Sequence, residues 1–548
     1  MKLSKRLLSL FLLLCMTLSL FSGCVGTDNT TEGTEETNKE LSIEDILPED
    51  TPLKFTLTEQ DLTDLKAMIP SVKEKMLTAE TNDAAEAEMK PLEEKFDFIM
   101  IQSGVAEVLY YCHQSDKTAM QNYLFAKETL GAAYKALVEL EEEIYNANPP
   151  YKDEYFDGMT PDELDRLVKQ REKETELGVL KSQITTDFYT NPEYEDRTKI
   201  DKLYNSYIKM GNDVAKTADF DNFYDYATEN MYHRDYGKEQ REAFRSYVNR
   251  YVIPLLSESG DAFAQSMDKL TYVQQSQLSR LIDTMAYDEL DDSYLMGYLN
   301  SLTGSTKEGM MHMFEHHNFI CASWEDSNAG AFTITLEDPF CYFGPGVYQT
   351  TFTVAHELGH YYAELHLEED QELSFDIAET HSQGNEMLLM KHLETRLDPE
   401  VHEALVNYTI YEFVNSIILS TVIDHFEEMV YNNPNSSRFT TEQYDDLMKK
   451  VLEQYNLSEE AKEVLLLYWK EVCLTSPVYY ISYATSAIAV LNLYGICEQD
   501  YKSAMEIYRK LVEEIGEDSD FRGTLKNAGL PTPFEEKAFT SLKELLKK

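Results

Sequence analysis

The stretch "FTVAHELGHYYAELH", Phe352 to His366, places three of the chain's 12 histidines within eleven positions. His356 and His360 are four apart, so on an α-helix both imidazoles lie on one face, one turn from each other, where they can share a cation. Glu357 directly follows the first histidine, which directs its carboxylate to the open side of such a cation instead of into its ligand shell. Two histidines and an adjacent glutamate in this order form HExxH, with two metal ligands and a general base for activated water. At this composition the pattern arises by chance only about 0.03 times per chain.

Catalytic zinc takes three protein ligands plus water, so a third ligand is required. The downstream segment "SFDIAETHSQGNEMLLMKHLE" supplies a candidate in Glu379, separated from His360 by 18 residues. That interval accommodates a turn and an antiparallel return helix. Ser382 and Glu386 fall on the same helical face as Glu379 and suit support of the ligands or the base. His381 is two positions from Glu379 and points elsewhere, and His366 lies off the metal-binding face. His312 and His316 in "HMFEHH" repeat the four-residue spacing, but no glutamate follows the first, and a structural or surface role is expected for them.

Outward from this centre the chain reads as mainly helical. "FDFIMIQSGVAEVLYYC" (96–112), "TLGAAYKALVELEEEIYNA" (129–147) and "LLYWKEVC" (466–473) carry apolar residues at three- and four-residue spacing. Gly and Pro are sparse, which favours long helices joined by short turns. "GAFTITLEDPF" (330–340) alternates and is β-branched; bounded by "EDSNAG" and "DPF", it is expected to give a strand over 331–336. A Gly344-Pro345-Gly346 loop separates it from the histidines. A soft boundary near residue 300 divides a helical N-terminal region (51–300) from a catalytic region (301–548).

The first residues belong to targeting, not to the fold. "MKLSKR" is basic, the next 15 residues are apolar, and "LFSGC" resembles a bacterial lipobox with Cys24 as lipid acceptor. Residues 1–23 are read as a lipoprotein signal peptide. Residues 24–50, polar and acidic, are read as a flexible tether. The expected location is the extracytoplasmic face of a bacterial membrane, anchored through lipidated Cys24. Loss of Lys2, Lys5 and Arg6 with the signal leaves 45 Lys and Arg against 99 Asp and Glu. A surface this acidic repels phosphate backbones, so nucleic acid is not an expected partner. Cys112, Cys321, Cys341, Cys473 and Cys497 are scattered, with no CxxC pair, and indicate neither a disulfide framework nor a thiolate site.

On these residues the chain resembles the oligoendopeptidase F and thimet oligopeptidase family of zinc metallopeptidases. The resemblance rests on "TFTVAHELGH" followed by "AETHSQGNE", with support from "GAFTITLEDPF" upstream, and "IDHFEEMVY" and "PVYYISYATSAIAVLNLY" downstream. "MYHRDYG" and "NRYVIPLL" are weaker anchors, and the likeness spans roughly residues 225–500. Two departures stand out: Ala363 replaces a family histidine, and "KEVCLTSP" lacks the histidine that usually precedes the tyrosines. The resemblance implies a helical, two-lobed body around a deep channel, one Zn²⁺ held by His356, His360 and Glu379, and short unstructured peptides as substrates. It also implies that the strand at 331–336 receives the peptide backbone.

Glu357 is then the general base, and Tyr480 and Tyr483 are candidates to donate hydrogen bonds to the tetrahedral oxyanion. Core packing is the competing reading for both tyrosines. Two alternatives remain at the level of sequence. One is a zinc aminopeptidase, whose HExxH-18-Glu interval is the same but whose G-x-M-E-N motif is missing here. The other is a lipid-anchored peptide-binding protein without catalysis.

Overall fold

The computed structural model describes residues 53–190, 197–282, 293–322, 327, 328, 330–345, 349–367, 371, 373–515 and 520–542. The signal segment 1–23, Cys24 and the tether to residue 50 lie outside the described residues. The fold is mainly α with one small sheet. Among the described residues no helix is long and apolar enough to cross a membrane.

The N-terminal helices α1 (Glu59–Thr78), α2 (Asn82–Cys112) and α3 (Lys117–Ala147) pack on one another around Leu65, Met76, Leu92, Phe96 and Leu137. Asp116 caps α3, its Oδ1 accepting the backbone N–H groups of Thr118 (2.7 Å) and Ala119 (2.9 Å), which satisfies two donors the helix itself leaves open. All three helical segments expected from the sequence fall inside helices, the last within α6 (Glu459–Thr475). The largest core runs from Leu177 to Leu542 and therefore passes through residue 300.

The strand expected over 331–336 is present, and the "DPF" that bounds it opens a second strand, so the segment forms a hairpin. β2 (Ala331–Thr335) turns at Leu336–Asp338 and runs back as β3 (Pro339–Phe343), with Ala331 opposite Phe343 and Thr335 opposite Pro339. Leu336 N–H closes the turn on Asp338 O at 3.0 Å. The alternation was legible, but Pro339 starts the second strand, where the first residue of a strand tolerates proline. β1 (Phe319–Cys321) pairs parallel with the far edge of β3, so the order is β1-β3-β2 and β2 is an edge strand. Phe332 and Ile334 on one face of β2 join Tyr342, Tyr111 and Val108 in a third core that fastens the sheet to α2. Thr333 and Thr335 on the other face turn toward the histidine helix.

That helix, α4 (Thr351–Glu364), starts at Thr350, whose side chain accepts the Thr353 N–H at 3.0 Å. Helix α5 (Phe375–Leu393) follows and packs along α4. The two approach so closely that Gly359 has no room for a side chain: a Cβ there would lie 2.6 Å from the His381 carbonyl oxygen and 2.6 Å from the Ser382 Cα. Both obstacles are backbone, so no rotamer change relieves them. Gly359→Ala is expected to part α4 from α5 and to cost about 1–3 kcal/mol by overpacking. A lowered urea midpoint together with loss of bound metal would be the outcome; unchanged values in both would show that the contact is not needed.

Candidate metal centre

His356 and His360 project from α4 and Glu379 from the second turn of α5. Glu379 Oε2 lies 3.4 Å from His356 Nε2 and 3.8 Å from His360 Nε2, and one ligand atom of each residue falls within 4.8 Å of the others. A tetrahedral cation with N and O ligands at about 2.0–2.1 Å keeps those ligands about 3.3–3.4 Å apart. Two imidazole nitrogens and a carboxylate oxygen suit such an ion in type and spacing. The antiparallel return helix anticipated from the 18-residue interval is the element that brings them together.

The charges agree with the donor chemistry. Burial pushes His360 down to about 3, so its imidazole is neutral and has a lone pair to give. Burial works against an ionised Glu379, but His356 and His360 outweigh it and hold the carboxyl below its ordinary range. Burial likewise opposes a charged His356, and the Glu379 and Glu386 carboxylates overcome it, raising the imidazole well above its usual value. A proton between two carboxylates occupies the electrostatic place that a bound cation would take.

The supporting contacts come from the same two helices and two neighbours. His356 Nδ1 meets Glu386 Oε1 at 2.7 Å, which fixes the ring and leaves Nε2 for the metal. Ser382 Oγ donates to Glu379 Oε2 at 3.0 Å. Ser382 and Glu386 thus stand beside the ligands, as their helical face implied.

Glu357 is buried and takes no part in the ligand triangle. Its Oε2 accepts a hydrogen bond from Thr333 Oγ1 at 2.8 Å, which ties the carboxylate to the edge strand. Burial raises its pKa to about 7, a value suited to taking and returning a proton near neutrality. Two residues further along β2, Thr335 Oγ1 donates to Glu364 Oε2 at 2.9 Å. Two threonines on one face of β2 therefore seat the strand on α4. Thr333 was not singled out in the sequence, although its alternation with Phe332 and Ile334 placed it on the face opposite the core.

The tyrosine-rich segment enters through helix α7 (Ile481–Cys497) and the turn before it. Tyr480 is the residue just before the helix, and its ring meets that of Tyr483 at 5.5 Å. The Tyr483 ring also meets Tyr479 at 5.2 Å. Burial raises the Tyr483 hydroxyl first, with the Glu379 and Glu357 carboxylates among the further causes. Tyr479 is the tyrosine whose hydroxyl donates to Glu379 Oε1. Its position four residues before Tyr483 was the available signal, and it went unread beside two nearer candidates.

The other histidines are engaged elsewhere. His381 is buried and its Nε2 donates to Leu511 O at 2.8 Å. His366 Nδ1 meets Tyr362 O at 2.9 Å. His312 and His316 stack at 3.8 Å, and His312 Nδ1 pairs with Tyr361 OH at 2.7 Å, a structural arrangement without a third ligand among the described residues. The five described cysteines are free thiols.

No protein-family model and no curated protein sequence matches the chain. Solved structures do. A Bacillus anthracis protein assigned as an oligoendopeptidase F is similar at a TM-score of 0.68 and 16% identity, over 90% of this chain and 97% of that one. PZ peptidase A with an inhibitor is similar at 0.65 and 16% identity, over 90% and 98%. Oligoendopeptidase-F from Enterococcus faecium is similar at 0.54 and 14% identity, over 90% and 98%. The chain has the fold of these proteins across nine-tenths of its length, including the N-terminal helices that the sequence matched only by helical character.

Proposed function

We propose that this protein is a zinc-dependent oligopeptidase that hydrolyses internal bonds of short, unstructured peptides. The observation that carries the reading is the convergence of His356, His360 and Glu379 with buried Glu357 beside them, tied through Thr333 to β2, which is an edge strand among the described residues. The three ligands would hold one Zn²⁺, which when bound supplies a water of pKa about 7 and a Lewis acid for the scissile carbonyl.

The protein groups divide the remaining work. The outer edge of β2 offers backbone donors and acceptors to an extended peptide. Thr333 keeps the Glu357 carboxylate facing the same space, where it takes a proton from the attacking water and hands it to the leaving amine. Tyr483, with Tyr480 against it, is assigned to hydrogen-bond the oxygen that gains charge. The fold relatives are peptidases by name, which favours this reading over an inactive binding protein.

A length series of peptides blocked at both ends tests it. Cleavage of blocked peptides is expected, whereas a zinc aminopeptidase would spare them. Rates should fall for chains well beyond about 20 residues, which already extend about 66–72 Å, and for a folded protein compared with its unfolded form. Cleavage of the folded form at an equal rate would sink the confined-site reading.

The location proposed is the outer face of a bacterial membrane, through lipid on Cys24. The lipobox-like "LFSGC" and the acidic tether support it, and one diacylglycerol supplies two chains, enough for stable anchoring. Cys24→Ser should release the protein or leave it misprocessed; unchanged membrane association, with no lipid on the wild-type N-terminus, would end the lipid-anchor idea.

A further inference from the structure

We propose that Arg234 is a positioning residue for the metal centre: it clamps the turn Ser476–Tyr480 in a strained conformation that seats Tyr479 on Glu379. This rests on the metal reading given above. The turn contains Val478 at φ +62°. The other described non-glycine residues with positive φ are Asn, Asp or His, which tolerate the left-handed region through short polar or planar side chains. A β-branched residue does not, and its presence there requires surroundings that over-determine it.

Those surroundings come from a segment about 245 residues away in sequence. Arg234 is buried and forks across the turn, donating through Nη1 to Val478 O at 2.8 Å and through Nη2 to Tyr479 O at 2.9 Å. Nη2 also donates to Ser482 Oγ at 2.9 Å, at the start of α7. Tyr232 OH donates to Pro477 O at 2.7 Å, and the Arg234 guanidinium lies over the Tyr232 ring at 4.5 Å. From the opposite side the Val478 N–H is shared between Oε1 and Oε2 of Glu427, each at 2.9 Å. Every polar backbone group from Pro477 O to Tyr479 O named here is thus held by a buried side chain.

The same guanidinium reaches the ligand helix. Arg234 Nε lies 3.3 Å from Asp376 Oδ2, and Asp376 is three residues, one turn, before Glu379 on α5. Ser482, Thr485 and Tyr236 also donate to Asp376. Arg234 therefore joins the turn, α7 and α5 at one point, on the side of α5 from which Tyr479 approaches Glu379 Oε1. Only a planar fork with several fixed donors serves all these acceptors; a lysine ammonium cannot.

The test is a double-mutant cycle on zinc affinity, measured by chelator competition, with amide hydrogen exchange of the turn in the metal-free protein. Tyr479→Phe is expected to weaken zinc binding about 10–100-fold, as loss of a ligand's supporting hydrogen bond does. Arg234→Lys should cost a similar factor and speed exchange at Val478, and the double variant should bind no more weakly than the worse single one. Val478→Gly, which adopts positive φ freely, should restore most of the zinc affinity to Arg234→Lys. Losses that multiply, or a glycine that rescues nothing, would overturn the clamp. Where Arg234→Lys does not fold, Tyr232→Phe removes one grip while keeping the ion pair and is read in the same cycle. A wild-type protein that binds no zinc would refute the metal reading, while the exchange measurement would still decide whether Arg234 holds the turn.

Discussion

Glu357→Gln is expected to fold, to keep its zinc, and to turn over a quenched blocked peptide about 10²–10⁴-fold more slowly, the range that a positioned general base contributes. The structure explains why the lesion should be confined to chemistry. Glu357 is not a member of the ligand triangle, so the metal set of His356, His360 and Glu379 is left whole. A glutamine oxygen can still accept from Thr333 Oγ1, which sits 2.8 Å from Glu357 Oε2, so that hydroxyl keeps its acceptor. What disappears is a group able to hold a proton at neutral pH. The loss should appear in kcat at least as strongly as in kcat/KM, since the base acts in the transition state. Turnover near that of the wild type would remove Glu357 from the reaction.

Glu379→Gln should instead abolish activity by removing the metal. The carboxylate is wholly buried, and its Oε2 faces both imidazole Nε2 atoms. Replacing it by a neutral amide leaves two histidines, one of which owes part of its raised pKa to Glu379. The loss of zinc affinity should exceed the roughly 10–100-fold that an outer supporting partner costs. Zinc content after dialysis against a weak chelator measures it directly. A variant that retains a full equivalent would reject Glu379 as the third ligand. Because the Tyr479 and Ser382 hydroxyls can each accept as well as donate, Gln is preferred to Ala, which would leave a cavity and take from Tyr479 its acceptor on Glu379.

These two experiments bear on the residues that were legible without any structure. Spacing alone placed His356 and His360 on one helical face and Glu357 beside them, because an α-helix has one period and short-range pairs follow from it. The proposed third ligand was readable for a related reason: an 18-residue interval allows a short turn and a return helix, and the family resemblance points to Glu379 on it. The same periodicity placed Ser382 and Glu386 beside Glu379, and it set His366 and His381 apart. Sequence also marked 330–340 as extended. It marked "DPF" as the end of the strand but not the second strand that begins there, since only the pairing of Ala331 with Phe343 fixes the fold-back.

What the tertiary structure alone decided are the contacts between elements far apart in the chain. Thr333 reaches Glu357 across 24 residues, Tyr479 reaches Glu379 across 100, and Arg234 grips the tyrosine turn across 245. No local pattern specifies such meetings, because they depend on which helix faces pack and at what distance. Gly359 illustrates the difference. Its place between Glu357 and His360 is visible in the sequence, but the need for glycine is created by the backbone of α5 lying 2.6 Å from where a Cβ would stand. Helical periodicity placed the proposed ligands; close packing of α4, α5 and the turn before α7 determined how those side chains are held.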